Sequence, residues 1–369
     1  MNNAILEAGK ELLPEPCFVR RNLRPLYFGP NGVLYCSRFD RIYATDDFGR
    51  TLHEAGRLEN HFRIRPMLAQ VPLAQRALRT QIYRMRVLPD GTKIYIFRKG
   101  VYTQGPADKV AIRTFSVPRG SRPVSLAVSR DGLVVFGEYW DNAERAEVHV
   151  YGSSDSGKSW APVYTFPARS IRHVHGISYD PWDDCFWLCT GDYQDENQLL
   201  RASTDFKNVR LLRQGGQGNR FYYLLVLEKD LLTATDAPAE QNHVCIINKQ
   251  SGELTRVAEI ENTNFYSCRV GNKVFLSTNA EPSAVNDTRR VHVWMGDLDT
   301  GGWRKLWTNP IDRYAQLCRW PGVPRGLFQY SSVFFPEGGN PSETLVCYGL
   351  GVRGYDNALF CYDVRSWDV

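Results

Sequence analysis

The sequence predicts an all-β fold built from a repeat of about 50 residues. Three observations support this prediction: a polar turn recurs along the chain, strand-like segments flank each turn, and aromatic residues are abundant. Aromatic residues make up 12% of the 369 residues, with nine Trp and nineteen Tyr, which favours strands over helices. Helical periodicity is convincing only in the N-terminal segment 4–13.

The clearest turn lies within residues 150–166, VYGSSDSGKSWAPVYTF. Its key residues follow the spacing S-x-D-x-G-x-x-W, and they are Ser153, Asp155, Gly157 and Trp160. We expect the Asp155 carboxylate to accept hydrogen bonds from amides of its own turn, and Gly157 to adopt a positive φ. Trp160 is expected to be buried against an apolar layer. The turn is therefore predicted to be architectural and not catalytic.

Related turns recur at four further places. The residues at the Asp position of these turns are Asp47, Asp205, Gln250 and Asp299. From Asp155 onward the steps are 50, 45 and 49 residues, and the step from Asp47 to Asp155 is 108 residues, about two repeats. A period near 50 residues is typical of the four-stranded blade of a β-propeller.

We therefore predict a seven-bladed β-propeller of four-stranded antiparallel blades, and six or eight blades also fit the pattern. The blades are predicted to begin near residues 23, 81, 122, 172, 219, 264 and 314. The chain, 1–369, is expected to form a single domain. The N-terminal segment 1–22 is expected to add a strand to the last blade and partly close it, which removes exposed sheet edges.

Propeller topology brings distant residues together at one end of the central channel. The segments that lead into each blade and the loops between its second and third strands share that end. They are rich in residues suited to sugar binding. The catalytic candidates among them are His173, His175, Asp192 and Asp236. The substrate-binding candidates are Arg220, Glu240, Asn242, Asn264, Tyr266, Asn279, Glu281, Arg353 and Tyr355.

His173 and His175 are two of only seven histidines, and their i, i+2 spacing in a strand places both on one face. Histidine titrates closest to neutral pH, so either is expected to transfer protons. Arg220 is expected to bind an acidic group of the substrate, and Asp192 to orient a histidine or serve as the acid. The His-x-His pair with a nearby Asp could hold a divalent ion, but no third ligand follows the pair at a fixed spacing, so neither a metal nor another cofactor is predicted.

Over nearly its whole length the sequence resembles the Asp-box propellers, the sialidase-like proteins with bacterial neuraminidase repeats. The stretches HVHGISYDPWDDCFWLCTGD and SSDSGKSW are most similar to Asp-box proteins encoded among bacterial exopolysaccharide genes. An Asp-box implies the fold far more strongly than an activity. Sialidases add an Arg-Ile-Pro motif, which HFRIRPM at 61–67 approaches but interrupts with Arg65.

The resemblance and the candidate residues together predict a carbohydrate-active propeller that cleaves an acidic glycan at the channel mouth. Hydrolysis would require two carboxylates flanking the scissile bond. β-Elimination would require a base, together with cations or amides that neutralise a uronate carboxylate. The alternative is a non-catalytic propeller that binds a glycan or a protein during polysaccharide assembly or export.

The composition excludes several other classes of protein. The net charge of +5 is carried without runs of Lys or Arg, so nucleic acid is not an expected partner. No apolar run approaches the ~18 residues of a membrane span, and no secretory signal is visible. The nine cysteines are scattered, which favours free thiols and a cytoplasmic location, or a periplasmic or secreted one if a signal has been removed. The oligomeric state is not predicted.

Overall fold

The computed structural model describes residues 15–59, 71–120, 122–317 and 329–368. Strands dominate these ranges, and the helices among them are short. The predicted helical segment 4–13 and the HFRIRPM motif lie outside the described residues.

Strand β1 (Phe18–Arg21) precedes the first blade. Blade 1 contains β2 (Arg24–Phe28), β3 (Leu34–Arg38), β4 (Arg41–Thr45) and β5 (His53–Leu58). Helix α1 (Pro72–Leu78) leads into blade 2, which contains β6 (Arg84–Val87), β7 (Lys93–Phe97), β8 (Gly100–Gln104) and β9 (Val110–Ser116). Blade 3 contains β10 (Ala127–Val128), β11 (Val134–Gly137), β12 (Val148–Ser153) and β13 (Ala161–Phe166).

The later blades repeat the pattern. Blade 4 contains β14 (His173–Asp180), β15 (Cys185–Gly191), β16 (Gln198–Ser203) and β17 (Val209–Gln214), with a 3₁₀ turn at Gln194–Glu196. A second 3₁₀ turn, Gln217–Asn219, precedes blade 5, which contains β18 (Leu225–Val226), β19 (Asp230–Ala234), β20 (Asn242–Asn248) and β21 (Leu254–Ile260). Blade 6 contains β22 (Asn264–Val270), β23 (Lys273–Thr278), β24 (Arg290–Asp297) and β25 (Trp303–Pro310). Helix α2 (Arg313–Leu317) precedes the last three strands, β26 (Ser332–Phe334), β27 (Thr344–Leu350) and β28 (Ala358–Asp363).

The described strands form seven four-stranded antiparallel units, which confirms the predicted propeller. Blades 1 and 2 are also joined by a short parallel pairing of β5 with β9. β1 pairs with β28, with Phe18 opposite Cys361, so the N-terminal strand completes blade 7. β2 contacts both β6 and β27, so blade 1 adjoins its two neighbours in the ring.

The predicted starts of the first six blades lie within about six residues of the first strands observed. The predicted start of blade 7 near residue 314 is wrong, because α2 occupies that position and β26 begins at Ser332. The period of the turns does not reveal an insertion between two blades.

The polar turn between β12 and β13 has the hydrogen bonds that its sequence predicts. The Asp155 carboxylate accepts bonds from the amides of Lys158 (3.0 Å) and Ser159 (2.9 Å), and the φ of Gly157 is +81°. Trp160 donates from Nε1 to the Gly157 carbonyl at 3.2 Å. Its indole is only partly buried, and it packs between blades 2 and 3 with its ring centroid 6.2 Å from that of Phe115 and 5.2 Å from that of Phe136.

Two of the turns use a different capping residue from the one that the spacing predicts. In blade 5 the amides of residues 250 and 251 donate to Asn248 Oδ1, and in blade 6 the amides of residues 299 and 300 donate to Asp297 Oδ1. Asn248 and Asp297 stand where the other turns carry Ser or Thr. The capping oxygen has therefore moved two residues earlier while the turn is retained.

No helix in the described ranges is long and apolar enough to cross a membrane. The eight cysteines in these ranges are unpaired, and all but Cys17 are buried or partly buried; Cys318 lies outside them.

Trp160→Ala is expected to lower the free energy of unfolding by about 2 kcal/mol, less than the ~3–5 kcal/mol of a fully buried aromatic residue. The loss arises because the indole fills the space between blades 2 and 3. Urea denaturation measures it, and Trp182→Ala, which removes an indole that is 49% exposed, is the control. Equal stability of the two variants would contradict a packing role for Trp160.

Candidate functional site

Two adjoining cavities open where the segments leading into the blades meet the loops between second and third strands. The channel cavity has a volume of about 210 Å³ and is lined by Tyr83, Arg122, Tyr222 and Glu281, among others. The cleft beside it has a volume of about 340 Å³ and is lined by Trp140, Asp141, Arg172, His173 and Asp192, among others. Tyr139 borders both cavities.

Asp192 is the centre of the polar cluster beside the cleft. Its Oδ1 lies 2.9 Å from His175 Nε2, 3.5 Å from His173 Nε2 and 3.1 Å from an Arg220 guanidinium nitrogen. Its Oδ2 accepts a bond of 3.0 Å from Arg172, which also pairs with Asp141. Asp192 follows β15 directly, so the strand end delivers this carboxylate to the histidines on β14.

Backbone carbonyls hold both imidazoles through their Nδ1 atoms. His173 Nδ1 lies 2.8 Å from the Trp140 carbonyl, and His175 Nδ1 lies 3.1 Å from the Phe221 carbonyl. A carbonyl only accepts, so each Nδ1 carries the hydrogen, and a neutral ring then has its lone pair on Nε2. The two Nε2 atoms face each other at 3.1 Å.

A glycine makes room for this arrangement. Gly191 stands opposite His173 in the pairing of β14 with β15. A Cβ at Gly191 would lie 2.6 Å from His175 Cε1 and 2.7 Å from Asn197 Oδ1, which is too close for any larger residue without displacement of the ring. The TGD sequence at 190–192 therefore supplies both the space for His175 and the carboxylate that faces it.

Burial and charge fix the protonation of these groups. Burial lowers the pKa of His175 to about 4, although the nearby Asp192 carboxylate opposes this change. Burial alone would raise the pKa of Asp192, but its contacts with His173 and His175 hold that pKa well below its usual range. At neutral pH the cluster therefore contains an ionised carboxylate and a neutral His175.

Arg220 connects Asp192 to a second carboxylate. Its Nε lies 3.1 Å from Asp236 Oδ2, and Asp236 is almost completely buried. Burial raises the pKa of Asp236 to about 8; Arg220 opposes this change, and the charges of Glu281 and Asp192 add to it. Asp236 is therefore protonated at neutral pH, whereas Asp192 is ionised.

The channel cavity contains a tyrosine in cationic surroundings. The Tyr83 hydroxyl lies 3.3 Å from the hydroxyls of both Tyr222 and Tyr266. The guanidinium carbons of Arg122 and Arg84 lie 4.0 and 4.5 Å from the centroid of its ring. Burial would raise the pKa of Tyr83, but the two arginines and the two hydrogen bonds outweigh it and lower the pKa to about 8.

A strongly basic groove lies on the same end of the ring, beside blade 1. Its volume is about 640 Å³, and its lining includes five arginines and one acidic residue: Arg21, Arg24, Arg38, Arg41, Arg57 and Asp40. Arg24 links the groove to the channel, since its guanidinium carbon lies 5.7 Å from the centroid of the Tyr83 ring.

The structure brings together His173, His175, Asp192, Arg220 and Asp236, five of the residues that repeat position selected. Tyr266 and Glu281 line the channel cavity. Asn279 lies behind Glu281 and accepts a bond of 2.7 Å from its amide.

The remaining candidates lie elsewhere. Asn242 bonds to the backbone of Ala237 within its own loop, and Asn264 donates to the carbonyls of Tyr266 and Ser277. Both asparagines are buried and bond to backbone groups of their own blades. The other three candidates line neither the channel cavity nor the cleft. Glu240 and Arg353 are exposed, and Tyr355 packs against Phe360 with its ring tilted.

Sequence reasoning missed Arg172 and Arg122. Arg172 directly precedes the His-x-His pair, so its position at the start of blade 4 was a usable indication. Arg122 shows no such indication, because one arginine before a strand resembles any solvated residue.

The chain is similar in structure to several solved β-propellers, at low sequence identity. An oligogalacturonate lyase in complex with manganese aligns with a TM-score of 0.55 and 10% identity over 93% of this chain and 92% of that one. The GH74 enzyme of Niastella koreensis aligns with a TM-score of 0.52 and 9% identity over 78% of this chain and 46% of that one. A chain of the mitotic checkpoint complex aligns with a TM-score of 0.55 and 11% identity over 98% of both chains.

The fold is that of a β-propeller. No family model matches the chain, and no curated protein sequence matches it. Membership of the Asp-box family therefore stays a prediction, and the function has to be argued from the site.

The difference in protonation predicts different effects of two isosteric substitutions at pH 6. Asp192→Asn should lower the free energy of unfolding by about 3 kcal/mol or more, because it leaves buried cations without their carboxylate. Asp236→Asn should cost less than about 1 kcal/mol, because an amide replaces an acid that is already neutral. Urea denaturation of both variants tests this, and equal losses would show that Asp236 is ionised.

Proposed function

We propose that this propeller cleaves an acidic glycan by β-elimination at the channel mouth. The observation that carries the proposal is the placement of Tyr83, a phenol with a lowered pKa, between Arg84 and Arg122 and against two further hydroxyls in an open cavity. The two arginines stabilise both a phenolate base at Tyr83 and the negative charge of a carboxylate bound beside it.

The basic groove supports an acidic substrate. Its lining carries five arginines and one aspartate, and although Arg41 pairs with Glu54, the remaining excess of positive charge attracts a polyanionic chain and guides it toward the channel. Guanidinium groups also match carboxylates in geometry, so Arg122 is suited to hold the carboxylate of the sugar that reacts.

Aromatic rings support a sugar as the ligand. The cavity walls include Tyr139, Tyr222 and Phe265, and the last two rings stack with their centroids 4.7 Å apart. Flat apolar surfaces of this kind pack against the C–H faces of a pyranose, while the hydroxyls and the charged residues at the rim take its polar groups.

The reaction needs one proton to move twice. The Tyr83 phenolate takes the proton from the carbon next to the uronate carboxylate, and Tyr222 and Tyr266 donate hydrogen bonds to the phenolate oxygen beforehand. The electron pair of that C–H bond forms the carbon–carbon double bond while the bond to the leaving sugar oxygen breaks. Tyr83 then returns the proton to that oxygen, so the phenolate is regenerated and no water is consumed.

The histidine cluster borders the same site through Tyr139, whose ring centroid lies 4.2 Å from that of His173. Its imidazole nitrogens face one another and Asp192, so we assign the first proton transfer to Tyr83 instead of to a histidine. His173, His175 and Asp192 are assigned to substrate binding in the cleft. Proton transfer by His173 or His175 stays a prediction that the variants below also test.

Two of the similar structures are consistent with a carbohydrate-active propeller, since one is an oligogalacturonate lyase and the other a GH74 enzyme. The experiment is digestion of a panel of uronate-containing polysaccharides by the purified protein. Elimination produces an unsaturated uronate that absorbs in the ultraviolet, together with new reducing ends. New reducing ends without this absorbance would indicate hydrolysis, and binding without products would indicate a non-catalytic propeller; either result contradicts the proposal.

Tyr83→Phe is expected to lower kcat/KM by about 10²–10⁴, the usual effect of removing a general acid–base. Tyr164→Phe, a tyrosine on the outer strand β13, is the matched control and should retain full activity. His173→Ala and His175→Ala should reduce binding more than turnover at saturation. A larger loss of kcat in these variants than in Tyr83→Phe would indicate that a histidine transfers the proton.

The pH dependence follows from the protonation state of Tyr83. The phenolate is the active form and its pKa is about 8, so kcat/KM of the wild-type protein should rise with pH and level off above about 8. Tyr83→Phe should lose that rise in whatever activity remains. A profile that falls through this range would mean that Tyr83 acts as an acid.

A further inference from the structure

We propose that His173, His175 and Asp192 form a site for a divalent transition-metal ion that is open to the cleft. The proposal goes beyond the reaction above and does not depend on it, because its test measures the metal itself. Sequence reasoning found no third ligand at a fixed spacing; the fold supplies it as Asp192, at the end of the neighbouring strand.

The three donor atoms have the separations of adjacent ligands on one ion. The two Nε2 atoms of His175 and His173 are 3.1 Å apart. Asp192 Oδ1 lies 2.9 Å from Nε2 of His175 and 3.5 Å from Nε2 of His173. The corners of this triangle lie about 1.9 Å from its centre, so an ion about 1 Å above its plane would be within about 2.2 Å of all three atoms. That is the ordinary length of a bond from such an ion to imidazole nitrogen or carboxylate oxygen.

The hydrogen bonds at the Nδ1 atoms leave both Nε2 atoms available as metal ligands. Carbonyls of Trp140 and Phe221 hold the Nδ1 hydrogens, which is how protein metal sites orient their histidine ligands. Two Nε2 lone pairs and a carboxylate oxygen then converge with no hydrogen between them. Three acceptors in contact repel one another, and a bound cation removes that repulsion.

Asp192 can bind an ion and keep its arginines. Oδ2 already accepts from Arg172, while Oδ1 has two lone pairs, of which Arg220 takes one. The second lone pair of Oδ1 is free for the ion. The arginines hold the carboxylate in place, as the partners of metal-binding carboxylates commonly do.

The ligand set indicates the class of ion. Two imidazoles and one carboxylate suit Mn²⁺, Fe²⁺, Co²⁺ or Zn²⁺, whereas Ca²⁺ and Mg²⁺ prefer oxygen ligands alone. His173 and Asp192 line the cleft, so the remaining coordination positions face a space of about 340 Å³. Oxygen ligands from an acidic compound, a carboxylate above all, are the expected occupants of those positions.

The test is metal binding by the full-length protein after chelation and removal of the chelator. Titration calorimetry with Mn²⁺ and with Zn²⁺ should show one ion per chain, and elemental analysis after desalting should find the same ratio for Zn²⁺. The electron paramagnetic resonance signal of Mn²⁺ should change on binding. His173→Ala and Asp192→Asn should each weaken binding at least 100-fold.

His149→Ala is the matched control, because His149 lies near Glu147 on β12 of blade 3, half-buried and outside the cluster. It should bind one ion with unchanged affinity. Where Asp192→Asn unfolds, His173→Gln serves instead, since it removes the ligand nitrogen and keeps a polar side chain of similar size.

No binding of Mn²⁺ or Zn²⁺ by the folded wild-type protein would overturn the proposal, and so would binding that His173→Ala leaves unchanged. In the metal-free protein, nitrogen NMR of the imidazoles would then show a proton shared between the two Nε2 atoms. Metal binding without glycan cleavage would uphold this site and contradict only the proposed reaction.

Discussion

The pairing of β1 with β28 is the interaction on which the other features depend. Phe18 to Arg21 add the fourth strand to a blade whose other three strands come from the opposite end of the sequence. Ring closure joins the last blade to the N-terminal strand, and the seven inner strands are then fixed in one order around the channel. The segments that lead into the blades then converge from all sides. Without closure, Tyr83 before blade 2 would not meet the hydroxyls of Tyr222 and Tyr266, which come from blades 5 and 6.

The fold was largely predictable because its signature is local. Within one turn, the Asp155 carboxylate caps amides three and four residues later and Gly157 takes the φ that other residues avoid, so the spacing alone carries the information. Repetition of that spacing then reveals the blades. The start of blade 7 was not predictable in the same way, because an insertion between blades changes neither the turn nor its strands.

The site was predictable in part. Repeat position selected the histidines, Asp192, Arg220 and Asp236 correctly as neighbours, since topology alone decides which loops meet. It did not separate binding residues from asparagines such as Asn242, whose amide satisfies the backbone of its own loop. Nor did it single out Tyr83, because the lowered pKa of that phenol depends on the adjacent Arg84 and also on Arg122 and the hydroxyls of Tyr222 and Tyr266, which come from other blades.

Charge explains why a metal and an acidic ligand would favour each other in the cleft. At neutral pH Arg172 is balanced by Asp141, Arg220 by Asp192, and Asp236 holds its proton. A divalent ion adds two positive charges to this nearly neutral cluster, which by itself is unfavourable at such burial. Ionisation of Asp236 would offset one of them and a carboxylate of the substrate the other. Metal binding is therefore most favourable together with a negatively charged ligand. The arginine-lined groove beside blade 1 attracts ligands of the same charge.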